Sequence, residues 1–260
     1  MINEKLKQHA EAAIEAGIRR DGRKLEEYRP VSVETGLSST AHGSAKVTVG
    51  DSVIFAGVKL EIGTPYPDTP EEGSLMVSAE LLPLSNPNFE QGPPGEESIE
   101  LARVVDRSIR ESKAIDLKQL CITPAVKMWI VAADIAPINA NGNLIDISCL
   151  AALAAMRDAR MPEFKDGVPN FEKLTDEKLP MQHAPVLVTV YKMGKILLVD
   201  PTEEEEQYCD ARLSIATLED GKVCALQKGG SAPLTIEEIG RMVEIAQRLG
   251  YELREKVMRS

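Results

Sequence analysis

The longest run of consecutive carboxylates in this sequence lies within residues 199–230, VDPTEEEEQYCDARLSIATLEDGKVCALQKGG. Asp200 is followed by four glutamates at 203–206 and then by Asp210 and Arg212. Paired carboxylates can hold Mg²⁺ or act as a general acid and base. An arginine does neither, because its guanidinium keeps its proton near neutral pH. The segment thus offers carboxylates that could serve a catalytic site, beside a cation that could not.

The four glutamates at 203–206 have two interpretations. Adjacent carboxylates on a turn are more typical of a solvated, mutually repelling face than of a metal site, and the nearby Arg212 favours that interpretation. They could also pair with Arg212 or with a basic partner surface. The cysteines and histidines are scattered, without metal, disulfide or triad spacing; they are Cys121, Cys149, Cys209, Cys224, His9, His42 and His183. We therefore expect no metal and no cofactor.

A second candidate site is the segment ELARVVDRSIRES at 100–112. Arg103, Arg107 and Arg110 stand at i, i+4 and i+7, so a helix places them on one face. The apolar residues of the segment fall toward the buried side of the same helix; they are Leu101, Val104, Val105 and Ile109.

Two interpretations fit this arginine face. It could be solvated and held by ion pairs within the helix, since Glu100 precedes Arg103 by three residues and Glu111 follows Arg107 by four. It could instead bind RNA, because arginines on a rigid helix bind backbone phosphates without reading bases. The net charge of −11 argues against a protein that coats nucleic acid with its whole surface. A local basic site is compatible with that charge.

The composition is that of a globular protein, with 260 residues of which 43% are hydrophobic and 27% charged. No apolar run approaches the roughly 20 residues of a membrane span. The opening residues, MINEKLKQHAEAAIEAG, predict an amphipathic helix over 3–16 without a signal-like apolar block. We expect a cytoplasmic protein with no membrane partner.

Periodicity predicts the elements that position these residues. In the first part we expect a hairpin of strands at 44–50 and 52–63, a strand at 75–84, a helix at 97–113 and a long buried strand at 125–138. A turn at Asn141-Gly142 should then lead into a short strand and an alanine-rich helix at 147–160. Residues 161–183 are polar and predict an irregular linker.

The second part repeats the succession of strands and a helix. Strands are expected at 186–192 and 195–200, with two more after the acidic turn, joined at Asp220-Gly221. The last helix should begin with a capping box of Thr235 and Glu238. The sequence predicts an α+β fold of two mixed α/β subdomains, each of strands packed with helices. They are residues 1–183, which end in the polar linker, and residues 184–260.

Several motifs in this order resemble the RNase PH family of phosphate-dependent 3′-to-5′ RNA-degrading enzymes. They are RRDGRKLEEYRPVSVETG at 19–36, GSAKVTVGDSVIFAGV at 43–58, the arginine segment at 100–112 and the block at 199–230. The resemblance implies an RNase PH-like fold. The runs ILLVDPTEEEE, NANGNLID and LARVVDRSIR are most similar to the inactive RNase PH-like subunit of the archaeal exosome.

The sequence departs from the active members of that family at two places. Active members have a catalytic Asp twelve residues after a strand-ending Asp, and counting from Asp200 gives Arg212 here. They bind the attacking phosphate with a Gly-Thr-Arg turn, which here reads Gly142-Asn143-Leu144. Leucine offers neither the charge nor the planar donors with which a guanidinium binds phosphate. The resemblance therefore implies a chain without catalytic residues of its own.

The resemblance also implies partners. They are a catalytic RNase PH-like subunit, paired with this chain as a heterodimer present three times in a six-membered ring, and RNA-binding cap subunits on one face of the ring. The ring would degrade single-stranded RNA from its 3′ end with inorganic phosphate. This chain would structure its partner's active site, and Arg103, Arg107 and Arg110 would hold the RNA backbone, as this helix does in the family.

Two alternatives stay open at this point. The chain could be a free-standing phosphate-dependent 3′-to-5′ exoribonuclease that uses Asp200 or Asp210 as its carboxylate. It could also be a purely structural ring member that never touches RNA, in which case the arginine face is dispensable.

Overall fold

The computed structural model describes residue 7 and residues 12–165 and 168–260. Most of the helix expected at 3–16 lies outside these residues, including Leu6 and Ala10. Residues 12–15 are helical and Ile14 is buried, in agreement with the expectation.

The first sheet has six strands. They are β1 (Val31–Thr35), β2 (Gly43–Val49), β3 (Ser52–Gly63), β4 (Ser74–Ala79), β5 (Cys121–Thr123) and β6 (Lys127–Asn139). Their order is β1-β2-β3-β6-β4, and β5 pairs with one end of β6. All pairs are antiparallel except β4 with β6.

The predicted hairpin of β2 and β3 is confirmed. Alternate residues of β3 point to the core, and Gly50 takes the positive φ of 55° that the tight turn requires. The strand expected at 75–84 ends earlier, at Ala79.

Two helices pack on this sheet. Helix α1 (Glu96–Glu111) buries the predicted apolar side, which is Leu101, Val104, Val105 and Ile109. Helix α2 (Leu144–Asp158) is buried along almost its whole length and contacts β2 and β3 of this sheet and the strand at Val186–Met193 of the second sheet. The short strand expected before α2 is wrong. Asn143 takes a left-handed φ of 55°, which turns the chain directly into the helix.

The second sheet has the order β10-β9-β11-β12, with every pair antiparallel. Its strands are β9 (Val186–Met193), β10 (Ile196–Val199), β11 (Ala211–Thr217) and β12 (Val223–Gly230). The acidic turn forms a single-turn helix, α3 (Glu203–Glu206). The last helix, α4 (Ile236–Met258), begins with the predicted capping box of Thr235 and Glu238 and packs on β9 and β11.

The irregular linker expected at 161–183 is wrong. Strands β7 (Arg160–Lys165) and β8 (Val168–Lys178) form an antiparallel hairpin there. Its aromatic side chains hold it to the first sheet, because the rings of Phe164 and Phe171 lie 5.8 and 6.4 Å from that of Trp129. Most of its other side chains are polar, and its few apolar residues do not alternate as in a half-buried strand.

One continuous cluster of buried apolar side chains includes residues of both sheets and of α1, α2 and α4. The expected α+β fold, with strands and helices mixed in both halves, is confirmed. The division between residues 183 and 184 stays a prediction. No helix within the described ranges is long and apolar enough to cross a membrane.

Candidate functional site

Asp200 ends β10 and is completely buried, with a left-handed φ of 46°. Its Oδ1 accepts hydrogen bonds from Arg29 Nη2 at 2.7 Å and Asn143 Nδ2 at 2.9 Å. Its Oδ2 accepts from Arg29 Nε at 2.9 Å and Arg23 Nη1 at 3.0 Å. The carboxylate is surrounded by donors of this chain, so it holds the fold together and does not face a substrate.

The acidic helix α3 is not the solvated, repelling face expected from the sequence. Glu204 alone among its four glutamates is exposed, and each of the four has its own partner. Arg19 donates to both carboxylate oxygens of Glu205, at 2.6 and 2.9 Å. The pairs at the two preceding positions are Glu204 with Arg20 and Glu203 with Asn86. None of the four pairs with Arg212 among the described residues.

Glu206 accepts hydrogen bonds at both carboxylate oxygens. Asn143 N donates to Oε2 at 3.1 Å, and the Tyr191 hydroxyl donates to Oε1 at 2.9 Å. Burial raises the pKa of Glu206, against the opposing effect of the Tyr191 hydrogen bond. The Asn143 amide lies at the N-terminus of α2, where free backbone donors would favour an anion. In this chain its own carboxylate already occupies that donor.

Leu144 and Arg212 meet at one pocket of about 410 Å³. They are the two positions at which the resemblance described above implies a departure from active enzymes. The ionisable residues that line the pocket are Glu97, Glu100, Glu203, Glu206 and Arg212. Arg212 Nη2 lies 2.7 Å from Glu100 Oε1, so the guanidinium of the lining is already paired. Because its described lining holds four carboxylates and no free cation, this pocket is unfavourable for inorganic phosphate.

Neither Asp200 nor Asp210 lines this pocket. Asp210 forms an ion pair with Lys7 and accepts a hydrogen bond from Gly194 N at 2.8 Å. Burial alone would raise the pKa of Asp210, but these hydrogen bonds lower it below its usual value. Within the described ranges, no group of three or more His, Cys, Asp or Glu side chains could hold a metal ion.

The three arginines of α1 are exposed, as expected, but their surroundings differ. Arg110 donates to both oxygens of Asp106, at 2.7 and 2.9 Å, and to the Leu75 carbonyl at 2.9 Å. The hydrogen bonds with Asp106 raise the pKa of Arg110, against the effect of burial. Arg107 makes one hydrogen bond, at 3.3 Å, to Gln227.

Arg103 has no hydrogen bond or ion pair with any residue that the structure describes. The two ion pairs that one interpretation places inside this helix do not form among the described residues, since Glu100 pairs with Arg212 and Arg107 contacts Gln227. Sequence reasoning missed both partners because they lie on the second sheet. The Asp106–Arg110 pair was also missed, although its i, i+4 spacing is a local signal.

Arg103 and Arg107 together line two shallow grooves along α1. One groove, of about 300 Å³, also contains Glu96, Glu100 and Gln227. The other, of about 400 Å³, has an apolar wall that includes Val77 and Ala102. The two guanidiniums therefore lie between the grooves, accessible from both sides.

Comparisons with known proteins identify the family of this chain. The model of the 3′ exoribonuclease family, domain 1, matches residues 27–162, and that of domain 2 matches residues 183–248. This chain belongs to the RNase PH family of 3′ exoribonucleases. The chain is 45% identical to the exosome complex component Rrp42 of Methanosarcina acetivorans, over 92% of this chain and 88% of the relative. It is 42% identical to that of Thermoplasma acidophilum, over 100% of this chain and 97% of the relative.

Solved structures give the same family. A chain of the Archaeoglobus fulgidus exosome with RNA bound to the active site is 41% identical, with a TM-score of 0.90, and the match covers 97% of this chain and 98% of that one. A chain of an archaeal exosome core is 38% identical, with a TM-score of 0.87, over 98% and 97%. Rice Rrp46 shares the fold, at a TM-score of 0.70 and 18% identity, over 92% and 98%.

Proposed function

We propose that this chain is a non-catalytic subunit of an exosome ring that degrades RNA from its 3′ end with inorganic phosphate. The observation that carries the proposal is the pocket at Leu144 and Arg212, whose described ionisable lining consists of four glutamates and one paired arginine. The high identity to exosome components over nearly the whole chain supports the same assembly.

The pocket explains why the isolated chain should be inactive. Phosphoryl transfer depends on positioning the nucleophile and stabilising its charge. Here the Leu144 side chain supplies no donor, Glu206 accepts from the Asn143 amide, and Glu100 pairs with Arg212. Among the described residues of this lining, a phosphate ion would therefore meet carboxylates and no unpaired cation.

The arginine face of α1 is the part that we propose binds RNA, through Arg103, Arg107 and Arg110. Arg103 and Arg107 should contribute most, because their guanidiniums are largely unpaired among the described residues and line both grooves. Arg110 should contribute least, because Asp106 and the Leu75 carbonyl already use its donors. Backbone contacts of this kind hold single-stranded RNA without selecting its sequence.

The proposed partner is a catalytic RNase PH-like subunit, with three such heterodimers in a ring and RNA-binding subunits as a cap. The net charge of −11 favours a more basic partner, since opposite charge speeds and orients association. In this assembly the chain structures the partner's active site and holds the RNA that enters it. A cytoplasmic location remains part of the proposal.

The decisive experiment incubates labelled poly(A) and inorganic phosphate with the purified chain, and separately with the complex that co-purifies with it. We expect nucleoside diphosphates from the complex only, and a more basic RNase PH-like chain in equal amount. Phosphate-dependent release by the pure chain would instead establish the free-standing exoribonuclease.

A further inference from the structure

Glu100 lies between the pocket at Leu144 and Arg212 and the arginine face of α1, since it lines both that pocket and the smaller of the two grooves. It precedes Arg103 by three residues, which places both side chains on neighbouring parts of the helix surface. An unpaired carboxylate at this position would repel an RNA phosphate. It would also compete with that phosphate for Arg103.

Arg212 prevents this by reaching across from β11. Its Nη2 lies 2.7 Å from Glu100 Oε1, and only 22% of the Arg212 side chain is exposed. Arg103 is left without a partner among the described residues, although Glu100 is its neighbour in the helix. Arg212 on β11 thus pairs with Glu100, and this carboxylate is no longer available to Arg103 on α1.

The path of the Arg212 side chain is fixed by the strand beside it. Arg212 pairs in register with Gly229 of β12, and a Cβ added at Gly229 would lie 2.6 Å from Arg212 Cζ. Any side chain at 229 would therefore displace the guanidinium. The absence of a side chain at Gly229 therefore leaves the space in which the Arg212 guanidinium lies beside α1.

We propose that Arg212 is a positioning residue for RNA binding, which neutralises Glu100 so that Arg103 and Arg107 are free for phosphate. The proposal rests on the proposed function, in which this groove holds RNA. Arg212, at the position where the resemblance implies the acid of active relatives, would then support RNA binding instead of catalysis.

A double-mutant cycle in the full chain, together with the chains that co-purify with it, tests this. Affinity for a labelled single-stranded oligoadenylate is measured for Arg212→Ala, Glu100→Gln and the double variant. Arg212→Ala should bind RNA about two- to three-fold more weakly at about 0.1 M salt, because the Glu100 carboxylate then has no partner and repels a nearby RNA phosphate. Glu100→Gln should lose nothing, and the double variant should regain wild-type affinity.

Two further measurements separate this role from a merely structural one. Arg212→Lys should retain most of the affinity, and the loss in Arg212→Ala should fade toward about 1 M salt, where screening acts within about 3 Å. The matched control is Arg248→Ala, which removes a cation from an ion pair with Glu26 elsewhere on the surface. It should leave RNA affinity unchanged.

The outcomes distinguish this proposal from the proposed function. If the Arg103→Ala, Arg107→Ala double variant binds RNA normally, RNA binding by this groove is wrong and the role of Arg212 is wrong with it. If that variant binds weakly while Arg212→Ala binds normally, only the role of Arg212 is wrong. The same holds if the Glu100→Gln, Arg212→Ala variant stays as weak as Arg212→Ala.

Discussion

The pocket at Leu144 and Arg212 and the arginine face of α1 share Glu100, but most ionisable groups of the pocket are paired and those of the face are largely unpaired. At the pocket, the Arg212 guanidinium pairs with Glu100 and the Asn143 amide donates to Glu206, so both donors are used by carboxylates of the chain itself. On α1, Arg103 has no partner among the described residues and Arg107 has a single weak hydrogen bond. Charges that stabilise this fold are paired, and charges available to a ligand are not. That difference can be tested by removing one member of each kind.

The largest effect is expected for Asp200→Ala. It leaves Arg29 and Arg23 without their carboxylate in the interior, and breaking a buried ion pair from one side costs about 3–5 kcal/mol. The free energy of unfolding in urea measures it. The matched control is Glu204→Ala, which breaks the exposed pair with Arg20 and should cost at most about 1 kcal/mol. Similar losses in the two variants would contradict the structural role given to Asp200.

A smaller effect, on binding and not on folding, is expected for the Arg103→Ala, Arg107→Ala variant. RNA affinity should fall by up to about 2 kcal/mol, since each exposed charge pair contributes at most about 1 kcal/mol. The slope of log affinity against log salt should shrink by about 0.7 for each RNA phosphate that the variant no longer binds. Fluorescence anisotropy at several salt concentrations measures both, and the melting temperature should hardly change.

Two matched controls sharpen that result. Arg110→Ala removes the paired arginine of the same face and should weaken binding least. Arg241→Ala removes an exposed cation of α4 that lines neither groove, and should have no effect. If the loss of RNA affinity per removed arginine is equal in the double variant and in both controls, net charge alone governs RNA binding.

Asp146 extends the comparison to a buried carboxylate that is held by a hydroxyl. Tyr28 donates to its Oδ2 at 2.6 Å, and burial raises the pKa of Asp146 to about 7. The folded state therefore binds this proton more tightly than the unfolded chain, and stability is lost as pH rises from about 4 through about 7. From about pH 6 to about pH 8 the loss from this group is about 1.4 kcal/mol. Unfolding of Asp146→Asn over the same range should show a flatter pH profile.

The smallest change, in this case in phosphorolytic activity, is expected for Arg212→Asp. It restores a carboxylate at the position of the family's acid but leaves Leu144 and the occupied Asn143 amide unchanged. It also adds a fifth carboxylate to the pocket, so phosphate binds no better. Incubation of the isolated variant chain with labelled poly(A) and phosphate should still release no nucleoside diphosphate. Measurable release would show that the pocket at Leu144 can bind phosphate without a clamp.

Local patterns predicted the parts of the fold that depend on neighbours in the sequence. The β2–β3 hairpin, the buried side of α1 and the capping box of α4 follow from alternation, helical spacing and side-chain chemistry. The hairpin of β7 and β8 could not be predicted in this way, because it is polar on most of its surface. It depends on rings that meet Trp129 from another part of the chain.

The same limit applies to the site. The positions of Leu144 and Arg212 were found by order along the chain, and the structure brings them to one pocket. The partners of the acidic helix were not found, because Arg19 lies 186 residues from Glu205. Which of the arginines is free also depends on distant residues, since Arg212 decides the state of Glu100.

Helix α2 has a consequence for how the molecule comes apart. It is buried between the two sheets and shares one continuous apolar cluster with both of them. Separating the halves would expose to water the side of this helix that packs on the sheet it leaves, so the two halves share one interior. We expect a single cooperative unfolding transition, seen alike by circular dichroism and by the fluorescence of Trp129. A destabilising change in either half should lower that one transition.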